Sequence, residues 1–192
     1  KAVIAAVTEA LKKARADISI FLAKAKNADK GKDRVLDTQF VVIGGGGAGQ
    51  TAAIRANQLG VDTIVLEKQA MMGGAFAMHG GWMLVTGSEV QKQAGVSEDS
   101  PNAMVHDFLA NGHFKNDLAK LKLYAENVGP TVDWLVKDVG PKFGMKRGLE
   151  SQGEYVNDRV LYYEGNTPGI MRTFDAAIQK ADKVKIVTSA RA

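Results

Sequence analysis

An α/β fold organised around a parallel strand–helix–strand unit is what this sequence predicts, and three observations predict it. The apolar run Phe40-Val41-Val42-Ile43 leads directly into Gly44-Gly45-Gly46-Gly47-Ala48-Gly49. A helix-like stretch follows from about Ala48 to Leu59 and is stopped by Gly60. A second apolar run, Thr63 to Glu67, then closes on a carboxylate. Strand, glycine turn, helix and strand over roughly 30 residues make a Rossmann-like βαβ dinucleotide-binding unit.

The glycine register is readable. The pattern G-x-G-x-x-G fits Gly44, Gly46 and Gly49, whereas a start at Gly45 would need glycine at position 50, which is Gln50. Gly44 turns the chain out of the strand, Gly46 admits a pyrophosphate to the backbone, and Gly49 lets the helix pack closely on the strand. The phosphates are expected at the helix N-terminus, with Ala48 in the turn, where unpaired amides and the helix dipole favour negative charge.

The remaining elements follow from periodicity and punctuation. From Val3 to Ala25, apolar residues recur at three- and four-residue steps, which predicts an N-terminal amphipathic helix. The polar, charged stretch Asn27 to Asp37 reads as a linker, so the chain divides into residues 1–37 and a domain over 38–192. Residues 69–88 are rich in Gly and Met and are expected to form a loop. Ser100 and Pro101 start a helix running to about Ala110, and Asn116 caps another running to about Asn127. Gly129 and Pro130 are expected to break it, before a third helix marked by Val132, Leu135, Val136 and Val139. Residues 142–168 read mostly as loop, with a short strand around Arg159 to Tyr163. A helix from about Gly169 to Ala181 and a strand Val184 to Thr188 close the chain.

Composition narrows the function classes. Residues 1–37 carry nine Lys or Arg against five acids, while the remainder carries sixteen of each, so the net charge of +4 lies in the leader. A neutral main body argues against nucleic acid as a partner, because that binding needs a clustered basic face. No stretch approaches the roughly 20 apolar residues of a membrane span. With no cysteine, thiolate chemistry, iron–sulfur ligation and thioether haem attachment are excluded for this segment. The compartment stays open between cytoplasm and periplasm or exterior.

Downstream residues discriminate among dinucleotides. Glu67 stands eighteen residues after Gly49, a spacing that lets a strand-end acid accept hydrogen bonds from the adenosine ribose hydroxyls. Its charge opposes a 2′-phosphate and so disfavours NADP. Lys68 is followed by Gly73-Gly74, then five residues, then Gly80-Gly81-Trp82. Two glycine pairs suit a loop along which a cofactor lies, because residues without Cβ let amides approach a pyrophosphate and a flat ring.

These motifs, V-V-I-G-G-G-G-A-G, T-I-V-L-E-K, G-G and G-G-W, with D-W-L-V-K-D-V-G at Asp133 to Gly140, resemble the fumarate reductase/succinate dehydrogenase flavoprotein superfamily. The likeness is to its soluble fumarate and urocanate reductase branch and to 3-ketosteroid dehydrogenases. The resemblance implies FAD, held non-covalently by the glycine turn with Ala48, by Glu67 and Lys68, and by Gly73, Gly74, Ala75 and Phe76. It further implies Gly80 and Gly81 near the flavin and a backbone contact from Ala190 to the adenine. The five-residue interval between the glycine pairs is closer to the ketosteroid enzymes, and Ala75 and Phe76 stand where the reductase branch has Asn and Ser or Thr. Membrane-bound relatives attach flavin to a histidine in this loop, but their register falls on Gly74 rather than His79. His106 and His113 share no metal-ligand spacing with an acid and are read as surface or packing residues.

Tyr155 to Gly169 resembles the stretch that brings substrate-binding residues toward the flavin, and it offers Arg159 for a carboxylate and Tyr162 and Tyr163 for a larger substrate. The alternative is an edge strand with packed tyrosines and a surface arginine. Trp82, Trp134 and Phe143 are assigned to packing. The resemblance implies reduction of a carbon–carbon double bond conjugated to a carboxylate, with electrons from a haem, FMN or NADH-linked domain or partner. It also implies that the family's capping domain and proton-donating arginine follow Ala192, so the sequence is expected to be an N-terminal fragment or one of two chains completing a fold. A ketosteroid desaturase and a non-catalytic nucleotide-binding or assembly module are the other two readings.

Overall fold

The order of apolar runs and turn signals produces two small sheets with helices between them. In the computed structural model, residues 35–145 and 155–192 are described, and the expected leader helix and most of the linker lie outside them. The unit described below runs from Thr38 to Ala192.

β1 (Phe40–Ile43), β2 (Thr63–Leu66) and β6 (Val184–Val187) form a parallel sheet with β2 in the centre. The register pairs Val42 with Val65 and Val65 with Ile186. α1 (Gly47–Gln58) connects β1 to β2 and buries Ala53 and Ile54 against that sheet. α5 (Asn166–Gln179) adds Ile170, Phe174 and Ile178 to the same core. Their four-residue spacing puts all three on one face of the helix. β1, β2, β6, α1 and α5 thus fall within a residue or a few of the expected bounds. Gly60, at φ +74°, ends the turn after α1 where a side chain would be strained.

The second sheet is antiparallel, with β5 (Val160–Tyr163) between β3 (Trp82–Leu84) and β4 (Phe143–Met145). α3 (Pro101–Asn111) and α4 (Leu118–Trp134) pack on it through Met104, Val105, Ala125, Val128 and Val132, with Val90 of α2 (Glu89–Gln93) against the same cluster. Ser100 caps α3 as expected, its hydroxyl accepting from the Ala103 amide at 3.2 Å.

The structure departs from the expected elements at five points. The 69–88 segment contains a 3₁₀ turn (Gly74–Met78) and β3, and the 142–168 segment contains β4 as well as β5. α2 has no counterpart in the sequence reading, although Ser88 and Gln91 form its capping box. Asp117, not Asn116, caps α4, its carboxylate accepting from Ala119 at 3.0 Å and Lys120 at 3.1 Å. α4 also continues through Gly129-Pro130 to Trp134, where a π-helical turn (Leu135–Val139) extends it to Gly140. Pro130 is on the exposed side, so the Glu126 carbonyl that loses its partner faces water. Burial of Ala125, Val128 and Val132 on the other side holds the helix together across it.

Candidate dinucleotide site

The glycine turn is fixed by close approaches on one side and open on the other. Gly44 leaves β1 at φ +103°, and its amide donates to the Leu66 carbonyl at 2.8 Å. A Cβ on Gly49 would stand 1.9 Å from the Gly44 oxygen, so α1 can begin this close to β1 only with glycine there. A Cβ on Gly46 would meet nothing nearer than the Gly73 oxygen at 3.8 Å. What glycine preserves at position 46 is therefore the space beside the turn. The first amides of α1, around Gly47 and Ala48, have no partner within the helix, and no acidic side chain stands in its first turn.

The second glycine pair is docked onto the first turn. Gly73 donates its amide to the Gly45 carbonyl at 2.8 Å, and Gly46 and Gly73 form a parallel bridge. Gly73 and Gly74 both have positive φ, +121° and +53°, which turns the chain into the Gly74–Met78 helix. Ala75 lies exposed on the rim. The Phe76 ring packs edge-on to Phe174 at 5.2 Å and against Gly47 of the turn.

Glu67 sits at the end of β2 directly under the turn. Its Oε2 accepts from the Gly45 amide at 2.7 Å and its Oε1 from the Gln69 amide at 2.7 Å. Those two amides, Gln69 first, hold its carboxyl below the usual glutamate range despite burial, with help from Lys68. Each carboxylate oxygen has a second lone pair, so the group can still accept from a ribose. Ala190 is brought beside it, its amide donating to the Glu67 carbonyl at 2.9 Å, and Lys68 is exposed next door.

Gly80 and Gly81 stand at the far end of the loop. Gly81 has φ +81° and approaches Asn166 at the start of α5 so closely that a Cβ would lie 3.2 Å from its Cα. His79 lies between Phe76 and Tyr163 with its ring tilted to both, and the Thr167 hydroxyl donates to its carbonyl at 2.6 Å.

Of the expected substrate residues, Tyr163 adjoins the far end of this loop, its amide donating to the Gly81 carbonyl at 3.1 Å, whereas Arg159 is engaged elsewhere. Arg159 is fully buried at the head of β5, donating to Asp99 through Nε and Nη2 and to Asp107 through Nη1, at 2.5–2.8 Å. A guanidinium committed to two carboxylates is not offered to a third. Tyr163 packs on His79 and Phe143, and burial pushes its hydroxyl up to about 12. Tyr162 precedes it on the strand and faces the opposite side of the sheet. Both tyrosines lie on β5, but the packing alternative is corrected too: β5 is the central strand of its sheet, not an edge, and Arg159 is buried rather than at the surface.

Two residues that shape the turn were missed. Gln50 is wholly buried and donates to the Gly45 carbonyl at 2.9 Å. Met72 covers Gly45, where a Cβ would collide with its sulfur. The phase of α1 could have revealed the first, because Gln50 shares the buried face of Ala53 and Ile54.

A glycine-turned parallel βαβ unit, a strand-end acid and a second glycine pair bridged to the first define a dinucleotide-binding domain. The chain belongs to the FAD binding domain family, whose profile matches residues 39–192. It is 32% identical over 130 residues to an NADH:fumarate oxidoreductase of Klebsiella pneumoniae, covering 67% of this chain and 14% of that protein. A urocanate reductase of Eggerthella lenta is 29% identical over 157 residues, covering 81% of this chain and 25% of the relative. Among solved structures, the open conformation of a flavocytochrome c3 fumarate reductase superposes with a TM-score of 0.69 at 26% identity, covering 79% of this chain and 26% of that one. The chain thus spans a quarter or less of the length of these curated relatives.

Proposed function

We propose that the chain holds FAD non-covalently in a reductase acting on a carbon–carbon double bond conjugated to a carboxylate, with fumarate, urocanate and acrylate as the substrate type. The observation that carries the cofactor reading is the Gly46–Gly73 bridge, which sets two side-chain-free turns edge to edge. Gly44 and Gly74 have no heavy atom within 4 Å of where a Cβ would lie, so the rim has room for a cofactor. The substrate class rests on the likeness to the fumarate and urocanate reductases.

When bound, FAD supplies the hydride for the double bond. The chain's own residues bind and orient it. Amides at the start of α1 and from Gly46 meet the pyrophosphate, where the helix dipole adds attraction. Glu67 accepts from the ribose, Ala190 borders the adenine, Lys68 lies beside them, and Gly73, Gly74, Ala75, Phe76, Gly80 and Gly81 line the cofactor with backbone. Electrons come from a haem, FMN or NADH-linked domain or partner.

Gly46→Val in the complete protein tests the cradle: FAD affinity should fall by a hundredfold or more (about 3 kcal/mol or more), and unchanged affinity in a folded variant would refute it. Reoxidation of the dithionite-reduced holoprotein by fumarate, urocanate, acrylate or a cinnamate-type acid tests the substrate class, and inertness toward all of them sinks it. The five-residue interval between the glycine pairs favours a second reading, an FAD-dependent ketosteroid dehydrogenase. Bleaching of the flavin band by a 3-ketosteroid would select it. A non-catalytic module would be selected if Gly46→Val removed flavin without loss of biological role.

A further inference from the structure

Position 50 enters the sequence reading only as the residue that rules out a second glycine frame. In the structure it is a glutamine with no exposed surface, a costly choice on the buried face of a helix. Its Nε2 donates to the Gly45 carbonyl at 2.9 Å, while its Oε1 is buried with no partner among the described residues. A methionine would fill similar space without an orphaned oxygen, so the distinctive contribution of this side chain is the N–H it gives to Gly45.

The Gly45 carbonyl also accepts from the Gly73 amide at 2.8 Å, and the Gly45 amide donates to Glu67 at 2.7 Å. Residue 45 is thus tied at both ends, to the second glycine pair, to the strand-end acid and to α1. The peptide linking Gly45 to Gly46 is trans. In a planar trans peptide the N–H points opposite to the C=O. Pulling the Gly45 carbonyl toward Gln50 and Gly73 therefore turns the Gly46 N–H the other way. That N–H has no partner among the described residues, and Gly46 has open space beside it.

We propose that Gln50 is a positioning residue for the diphosphate of the cofactor: by holding the Gly45 carbonyl it aims the Gly46 amide at the anion. This deepens the FAD reading above and rests on it. Gln50 acts through the backbone and touches no ligand. Gln50→Met removes the grip at nearly constant volume, and Gln50→Glu replaces the donor with an oxygen facing the Gly45 oxygen.

The test uses the complete protein, stripped of flavin, with FAD and ADP each titrated calorimetrically alongside the thermal midpoint of the apoprotein. Gln50→Met should weaken FAD and ADP by the same factor, about tenfold for one lost charge-assisted hydrogen bond, with stoichiometry unchanged. Gln50→Glu should weaken both further. A lower thermal midpoint with unaltered dissociation constants in the folded fraction, or failure of both variants to fold, would overturn the proposal in favour of a purely structural glutamine. If the parent binds neither FAD nor ADP, the cofactor reading itself fails, whereas a tight parent with an equally tight Gln50→Met variant sinks only the role of Gln50.

Discussion

Arg159 donates to two aspartates inside the protein, and all three side chains are nearly or completely buried. Burial alone would raise both acids, but the guanidinium together with the Ser100 amide on Asp99 and the Val156 amide on Asp107 outweighs it, and both carboxyls lie below the usual aspartate range. Arg159→Met would strand two carboxylates without their cation. Breaking a buried pair from one side costs about 3–5 kcal/mol, so the urea midpoint should drop accordingly while FAD affinity of the folded fraction stays level. A specific loss of substrate affinity at unchanged stability would instead restore the substrate role read from the sequence. The contrast with the glycine turn shows what a sequence makes legible at this scale. Gly44, Gly46, Gly49 and Glu67 are readable because their spacing within one βαβ unit is itself the cause of their geometry. Arg159 meets partners 60 and 52 positions away, so nothing in its neighbours distinguishes a surface arginine from a buried one. Tyr162 and Tyr163 looked like a pair, yet adjacent strand residues face opposite sides and cannot serve one ligand together.

α4 carries the same lesson for elements. Gly-Pro reads locally as a helix break, but a Cβ on Gly129 would lie 2.5 Å from the Thr86 oxygen and 2.6 Å from the Gly87 carbonyl carbon. Glycine here is a contact surface that lets the helix lie against the chain after β3. Gly129→Ala gains helix propensity of about 1 kcal/mol but forces backbone against backbone, at about 1–3 kcal/mol. The net expectation is destabilisation, read as a lower thermal midpoint. Pro130→Ala, which relieves the exposed Glu126 carbonyl, should be neutral or stabilising. An increase in stability for Gly129→Ala would show that α4 is free to retreat from residues 86–87. Long periodic elements such as α1 and α5 were legible because their own sequences carry the period. β3 and β4 have three residues each, too short to show one, and exist through pairing with β5.

Across the described unit, β5 joins the two cores: Tyr163 belongs to the one under the parallel sheet and Leu161 to the one under α3 and α4. Ionised acids secure both regions, Glu67 beneath the glycine turn and Asp99 with Asp107 around Arg159. All three have carboxyls that ionise more readily folded than unfolded. Such a group contributes stability that is fully present above its unfolded value and is lost as pH falls through the lower folded value. The ordinary values are 4.5 for the glutamate and 3.8 for the aspartates, so the midpoint of urea unfolding should show no loss from these acids between about pH 7 and pH 5 and then fall progressively below that range. Asp99→Asn should lower the neutral-pH midpoint and make the acid limb shallower, since one of the responsible protons is gone. An acid limb of unchanged slope in that variant would mean that the Arg159 cluster does not set the acid stability.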